Sequence, residues 1–161
     1  MLLTTSRHTL RSILHSPHYQ SPLLTRLAST LTILEHTNGT LTPASLSAIT
    51  AARALNSPVT GFIAGSNIKQ LALEVSKIEG LDKVISVDNA AYDRGLPETY
   101  APLIVENIRK GGFTHVFAPS SAFGKNVMPR VAAALDVMQV SDVTEVKSED
   151  SMYFPNLPFF V

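Results

Sequence analysis

PSSAFGKNVMPRVAAALDVMQVSD, residues 119–142, is the stretch whose reading decides the fold. A short apolar run, His115-Val116-Phe117-Ala118, leads into it. The stretch opens on small residues and Gly124. It then becomes a helix, from about Lys125 to Leu135, that carries Arg130 and an apolar stripe of Val127, Val131, Ala134 and Leu135. A strand feeding a small-residue loop and then a helix is the crossover unit of α/β folds. The loop falls at the carboxyl edge of the sheet, where such folds place ligands. The helix start adds N–H groups that lack intrahelical partners and a partial positive charge.

Working outward, the same alternation repeats. Residues 31–36 form an apolar, β-branched run that predicts a strand. Asn38-Gly39 predicts a turn. Thr42-Pro43 reads as a helix N-cap with proline at the first helical position, followed by Leu46, Ile49, Ala52 or Arg53, and Leu55 at helical spacing. Further strands are expected at 59–64, 84–87, 115–118 and 140–146. Further helices are expected at 68–78 (Leu71, Val75 and Ile78 inward) and 99–109, with Gly111-Gly112 as a stop. Strands alternating with helices imply a parallel sheet. Right-handed crossovers place helices on both faces. The expected fold is therefore α/β, a three-layer Rossmann-like domain with a mainly parallel sheet.

Composition narrows the function. The 161 residues hold one domain, and 45% hydrophobic residues suffice for a core. Basic and acidic residues number 13 each, so nucleic acid is not an expected partner. The absence of cysteine removes disulfides, thiolate nucleophiles and Cys-based metal sites. No apolar run approaches the ~18 residues of a membrane span, so no membrane insertion is expected. The first 34 residues contain Arg7, Arg11 and Arg26 but no acid, and ten of the first 30 are Ser or Thr. Leu3, Leu10, Ile13 and Leu14 cluster on one helical side. This is the composition of a mitochondrial transit peptide, expected over 1–29. Its removal leaves ten basic and thirteen acidic residues, a net charge of −3.

Candidate chemistry is sparse. Ser120 and Ser121 lack a G-x-S-x-G elbow and read as turn residues. His115 and His36 have no second ligand at metal spacing, and no metal site is expected. His36 lies nearer the functional edge. Gly124-Lys125-Asn126 is not a phosphate-binding P-loop, and no G-x-G-x-x-G follows a strand. Arg130 suits an acid on a neighbouring helix or another subunit. Asp88, Asp136 and Asp142 read as solvated ends. No catalytic residue can be assigned.

S-A-F-G-K-N-x-x-P-R-V-A-A-x-L followed by S-D, at Ser121–Leu135 and Ser141-Asp142, resembles the alpha subunit of electron transfer flavoprotein. The resemblance extends upstream through residues 31–36, the helix after Pro43, and 59–65. It implies a framework domain at 30–150 and a divergent tail at 151–161, standing where the family continues into the rest of the domain and a C-terminal FAD domain. It implies an electron carrier in the mitochondrial matrix, not an enzyme. That carrier is a heterodimer with a beta subunit. It takes electrons from acyl-CoA and related dehydrogenases, in fatty-acid and amino-acid oxidation, and passes them to a membrane quinone oxidoreductase. FAD is the family cofactor and AMP sits in the beta subunit. No FAD is expected on this chain alone, since the family's flavin contacts lie mainly in the C-terminal domain. Ser121, Gly124, Lys125, Asn126 and Arg130 are the signature positions carried over. An alternative reading is a nucleotide-binding (ATP or AMP) domain of the hydrolase or stress-protein type, although the phosphate loops of that type are absent.

Overall fold

The computed structural model describes residues 28–147 and the backbone of Phe159–Phe160. The expected targeting segment lies outside these residues except for its last two, and so does most of the tail at 151–161. In chain order the elements are β1 (Thr30–Ile33), β2 (His36–Thr37), β3 (Thr40–Leu41), α1 (Pro43–Arg53), β4 (Val59–Gly65) and α2 (Lys69–Val75). They continue as β5 (Lys83–Asp88), a 3₁₀ turn (Ala90–Tyr92), α3 (Pro97–Gly111), β6 (His115–Phe117), α4 (Ala122–Leu135) and β7 (Phe159–Phe160). The main sheet has the order β5-β4-β1-β6-β7, and every pairing in it is parallel. The small β2–β3 pair is antiparallel.

Side-chain alternation along the strands sorts the core into two layers. Leu31, Ile33, Phe62, Ala64 and Val116 meet Ile104, Val127 and Val131 from α3 and α4. On the opposite face, Leu34 and Ile63 meet Ile49 of α1 with Leu71 and Val75 of α2. Val59 and Phe117 extend that layer against Ala52 and Leu55. All seven residues of β4 are buried, as expected for a strand covered on both faces. The three-layer α/β expectation is met.

Five local expectations change, the first at residues 31–36, where β1 ends at Ile33 and His36 pairs with Leu41 in the separate β2–β3 hairpin. Residues 140–146 form no strand. Asp142 sits at φ 55, which breaks an extended run, and Lys125 Nζ holds its Oδ1 at 2.9 Å. Leu46 faces out at 45% exposure, because the inward face of α1 is Ser45, Ala48, Ile49 and Ala52. Ser45 takes the inner place because its hydroxyl bonds both backbone groups of Glu35, at 2.7 and 3.0 Å. α2 stops at Val75, and tighter turns follow, with Lys77 N bonded to Glu74 O and Ile78 N to Val75 O. α4 starts three residues early, at Ala122.

The predicted boundaries elsewhere have visible causes. Thr42 caps α1, accepting from Ser45 N, with Pro43 first in the helix. Gly112 ends α3 in the left-handed conformation at φ 63. Ser29 and Thr114 exchange three hydrogen bonds of 2.9 to 3.0 Å, tying the entry to β1 to the entry to β6.

Candidate functional site

Strand order reverses at β1. The chain moves from β1 to β4 and β5 on one side, and then crosses to β6 on the other. In open parallel sheets this reversal splays the loops beyond the carboxyl ends and opens a ligand crevice. Here the loops after β1, β4, β5 and β6 converge, carrying His36, Gly65 to Asn67, Asp88 to Leu96 and Pro119 to Ser121.

The chain's own groups fill that edge. The carbonyl oxygen of Ala64, near the end of β4, accepts from His36 Nε2 at 3.0 Å and from the Tyr100 hydroxyl at 2.5 Å. A Cβ on Gly65 would stand 2.8 Å from His36 Nε2, so glycine is what lets the ring approach. Tyr100 packs edge-on against Tyr92 and Phe123, with centroids 5.4 and 4.9 Å away. Asp93 accepts from Ser66 N at 2.6 Å and from its hydroxyl at 2.7 Å, while Asp88 accepts from Asn67 N at 2.9 Å. Burial pushes the Tyr100 phenol up to about 12, and the negative charges of Asp93, ionised Tyr92 and Glu35 add to the shift. The edge thus carries the carboxylates of Asp88 and Asp93, bonded to backbone N–H groups of the neighbouring loop, with the exposed Arg94 in the same segment.

The signature residues come together around the start of α4, each with a local structural partner. Ser121 is the N-cap, its hydroxyl accepting from Gly124 N at 3.1 Å. A Cβ on Gly124 would overlap the Pro119 carbonyl oxygen. Asn126 Nδ2 donates to Ala122 O at 3.0 Å. Lys125 pairs with Asp142, and Arg130 pairs with Glu98 of α3 at 3.0 Å. The acid expected opposite Arg130 therefore comes from the neighbouring helix. His115 lies at the amino end of β6, away from this edge, with Nδ1 2.9 Å from the Thr114 hydroxyl. Asp136 ends α4 in a left-handed conformation.

Beside the signature loop, a groove of about 470 Å³ runs along β6 between α1 and residues 139–146. Its walls are alanines of α1, with Phe117 and Met128 beneath and the Lys125–Asp142 pair at one end. Ser47, Thr50, Ser120, Gln139, Ser141 and Thr144 add polar groups along it. Among the described residues no His, Asp and Glu group could hold a metal, and no helix is long and apolar enough to cross a membrane.

Tyr92, Asp93 and Tyr100 were not visible as site residues in the sequence. No local pattern links them to the end of β4, where the 3₁₀ turn and α3 bring them together. At this edge Ser121 caps the start of α4, and His36 and Tyr100 occupy the space beside the Ala64 carbonyl oxygen.

These features define a Rossmann-like α/β domain whose carboxyl edge is occupied by its own side chains. Residues 30–156 match the family described as the electron transfer flavoprotein domain. The chain is 42% identical over 156 residues to a probable electron transfer flavoprotein subunit alpha, mitochondrial, of Schizosaccharomyces pombe, covering 96% of this chain and 46% of that protein. It is 44% identical over 125 residues to the electron transfer flavoprotein subunit alpha of Pseudomonas aeruginosa, covering 78% and 40% respectively. A probable mitochondrial alpha subunit of Caenorhabditis elegans is 44% identical over 126 residues, covering 78% and 38%. The chain belongs to the electron transfer flavoprotein family, and these relatives are alpha subunits. It spans less than half the length of each of the three. The family match runs to residue 156, beyond the 150 expected. The nucleotide-hydrolase alternative has no support in these matches.

Proposed function

We propose that residues 30–150 are the framework and beta-binding domain of an alpha subunit of the mitochondrial electron transfer flavoprotein, and that 1–29 direct the chain to the matrix. The family match over 30–156 carries this reading, together with the alpha-subunit relatives. The whole carrier moves electrons from acyl-CoA and related dehydrogenases to the quinone-linked chain, with FAD as the redox group. This domain contributes shape rather than chemistry. The closed carboxyl edge supports that role, because ordered loops held by internal hydrogen bonds make a rigid docking body.

The test is co-expression of the full chain with a family beta subunit, followed by affinity purification and a visible spectrum. The expected result is co-purification without a stoichiometric flavin band. Failure of beta to co-purify would remove the binding role. A stoichiometric flavin band from the chain alone would place the cofactor site in this domain and overturn the framework reading. Fractionation of cells expressing a C-terminally tagged chain checks the compartment, and a signal outside the matrix would overturn that part.

A further inference from the structure

We propose that Asn38 is a site of spontaneous deamidation whose isoaspartyl product loosens the β2–β3 hairpin and frees His36 from the carboxyl edge. Asn38-Gly39 is the one Asn-Gly pair in the sequence. It forms the two-residue turn between His36–Thr37 and Thr40–Leu41, with φ of 52 and 76 at its two residues, the left-handed values that such hairpins need. Both residues are exposed. Nothing lies within 4 Å of where a Gly39 Cβ would be, so the turn stands in open space. That nitrogen donates no backbone hydrogen bond to a described residue.

The reaction balances without any oxidant or cofactor. The Gly39 nitrogen bonds to the Asn38 Cγ while the Cγ–Nδ2 bond breaks. Ammonia leaves, carrying the proton lost from the Gly39 amide, and a five-membered imide remains. One water then opens the imide at either carbonyl, giving aspartate or isoaspartate.

Other asparagines are better held. Asn107 and Asn126 lie inside helices with their Nδ2 groups on Leu103 O and Ala122 O at 2.8 and 3.0 Å. The amide that follows each is engaged in the helix ladder. Asn89 Oδ1 accepts from Ala91 N at 2.9 Å, which fixes its carboxamide in a turn.

The consequence follows from the tightness of the turn. Isoaspartate adds one carbon to the main chain, and a two-residue hairpin cannot absorb it while keeping His36 opposite Leu41 and Thr37 opposite Thr40. His36 rides on β2, and its ring reaches Ala64 O only from that register. Ser45 still anchors Glu35, so the loosening begins at His36 and leaves the core intact.

The test ages the full 161-residue chain at mildly alkaline pH and maps peptides by mass, with isoaspartyl methyltransferase labelling. The expected result is that amide-to-acid conversion at Asn38 outruns that at Asn56, Asn67, Asn89, Asn107 and Asn126. The His36 ring resonances should shift in the converted fraction. An Asn38→Asp variant keeps the turn length and should keep the His36 resonances of the fresh chain. Conversion at Asn56 ahead of Asn38 would overturn the site. Unchanged His36 resonances after isoaspartate forms, or an equal shift in Asn38→Asp, would overturn the coupling.

Discussion

The Tyr100 hydroxyl ties the first turn of α3 to the end of β4, and its ionisation gives that tie a pH signature. Its folded pKa, about 12, lies above the ordinary 10, so the protonated phenol is the form that folding favours. The contribution is fully present below pH 10 and is lost as pH rises from 10 through 12. The expected size is on the order of 2 kcal/mol, because one pKa unit corresponds to about 1.4 kcal/mol. Chemical denaturation at several pH values between 8 and 12 measures it. Tyr100→Phe should lower stability by about 1 kcal/mol at neutral pH and flatten that alkaline loss. An unchanged alkaline slope in Tyr100→Phe would assign it to other groups. Thr32 makes the opposite case. It is fully buried in β1, and its hydroxyl has no hydrogen-bond partner. Thr32→Val keeps the shape and removes the unmet polar group, so it should stabilise the fold by about 1 kcal/mol, read as a higher melting temperature.

The start of α4 concentrates the signature residues, and its internal contacts predict which of them matter for folding. Ser121→Ala removes the cap and should cost about 1 kcal/mol. Gly124→Ala forces a methyl group onto the Pro119 carbonyl, an overlap with backbone that no rotamer relieves. It should cost about 1–3 kcal/mol in urea unfolding, as overpacking does. Lys125 and Arg130 differ in kind. Their side chains are half exposed, at 57% and 52%, and so are those of their partners, so each pair contributes no more than about 1 kcal/mol. Lys125→Ala and Arg130→Ala should therefore change stability by less than Gly124→Ala does. A loss of beta binding in either variant with unchanged stability would give that residue an interface role. The N-cap assignment also shows a limit of reading by type. Small residues at 119–124 resemble a ligand-binding loop, yet Ala122 and Gly124 already belong to the helix, because the Ser121 side chain sets where the first turn begins.

For the molecule as a whole, burial is graded from the centre of the sheet to one edge. β1 and β4 are buried throughout, whereas Lys83, Ser86 and Asp88 of β5 are exposed. Native-state hydrogen exchange should therefore be slowest at Leu31, Ile33, Phe62 and Ile63 and faster along β5. Equal protection across the sheet would mean that the edge is covered in solution.

The sequence by itself determined the alternation of strands and helices, their order and most of their ends. Apolar periodicity, Pro43, Gly112 and Asn38-Gly39 act locally, through backbone geometry and the burial of one helical or strand face. It also carried the family, because the spacing from Ser121 to Asp142 survives as a linear pattern. Only the tertiary structure decided the course of 140–146. Its β-branched residues suit a strand, but strand formation needs a neighbour to share hydrogen bonds, and a left-handed Asp142 interrupts the extended run. It also decided the state of the carboxyl edge. Ala64 lies 28 residues from His36 and 36 from Tyr100 in the chain, yet both side chains meet at its carbonyl oxygen, since crossover helices return distant loops to the same end of a parallel sheet.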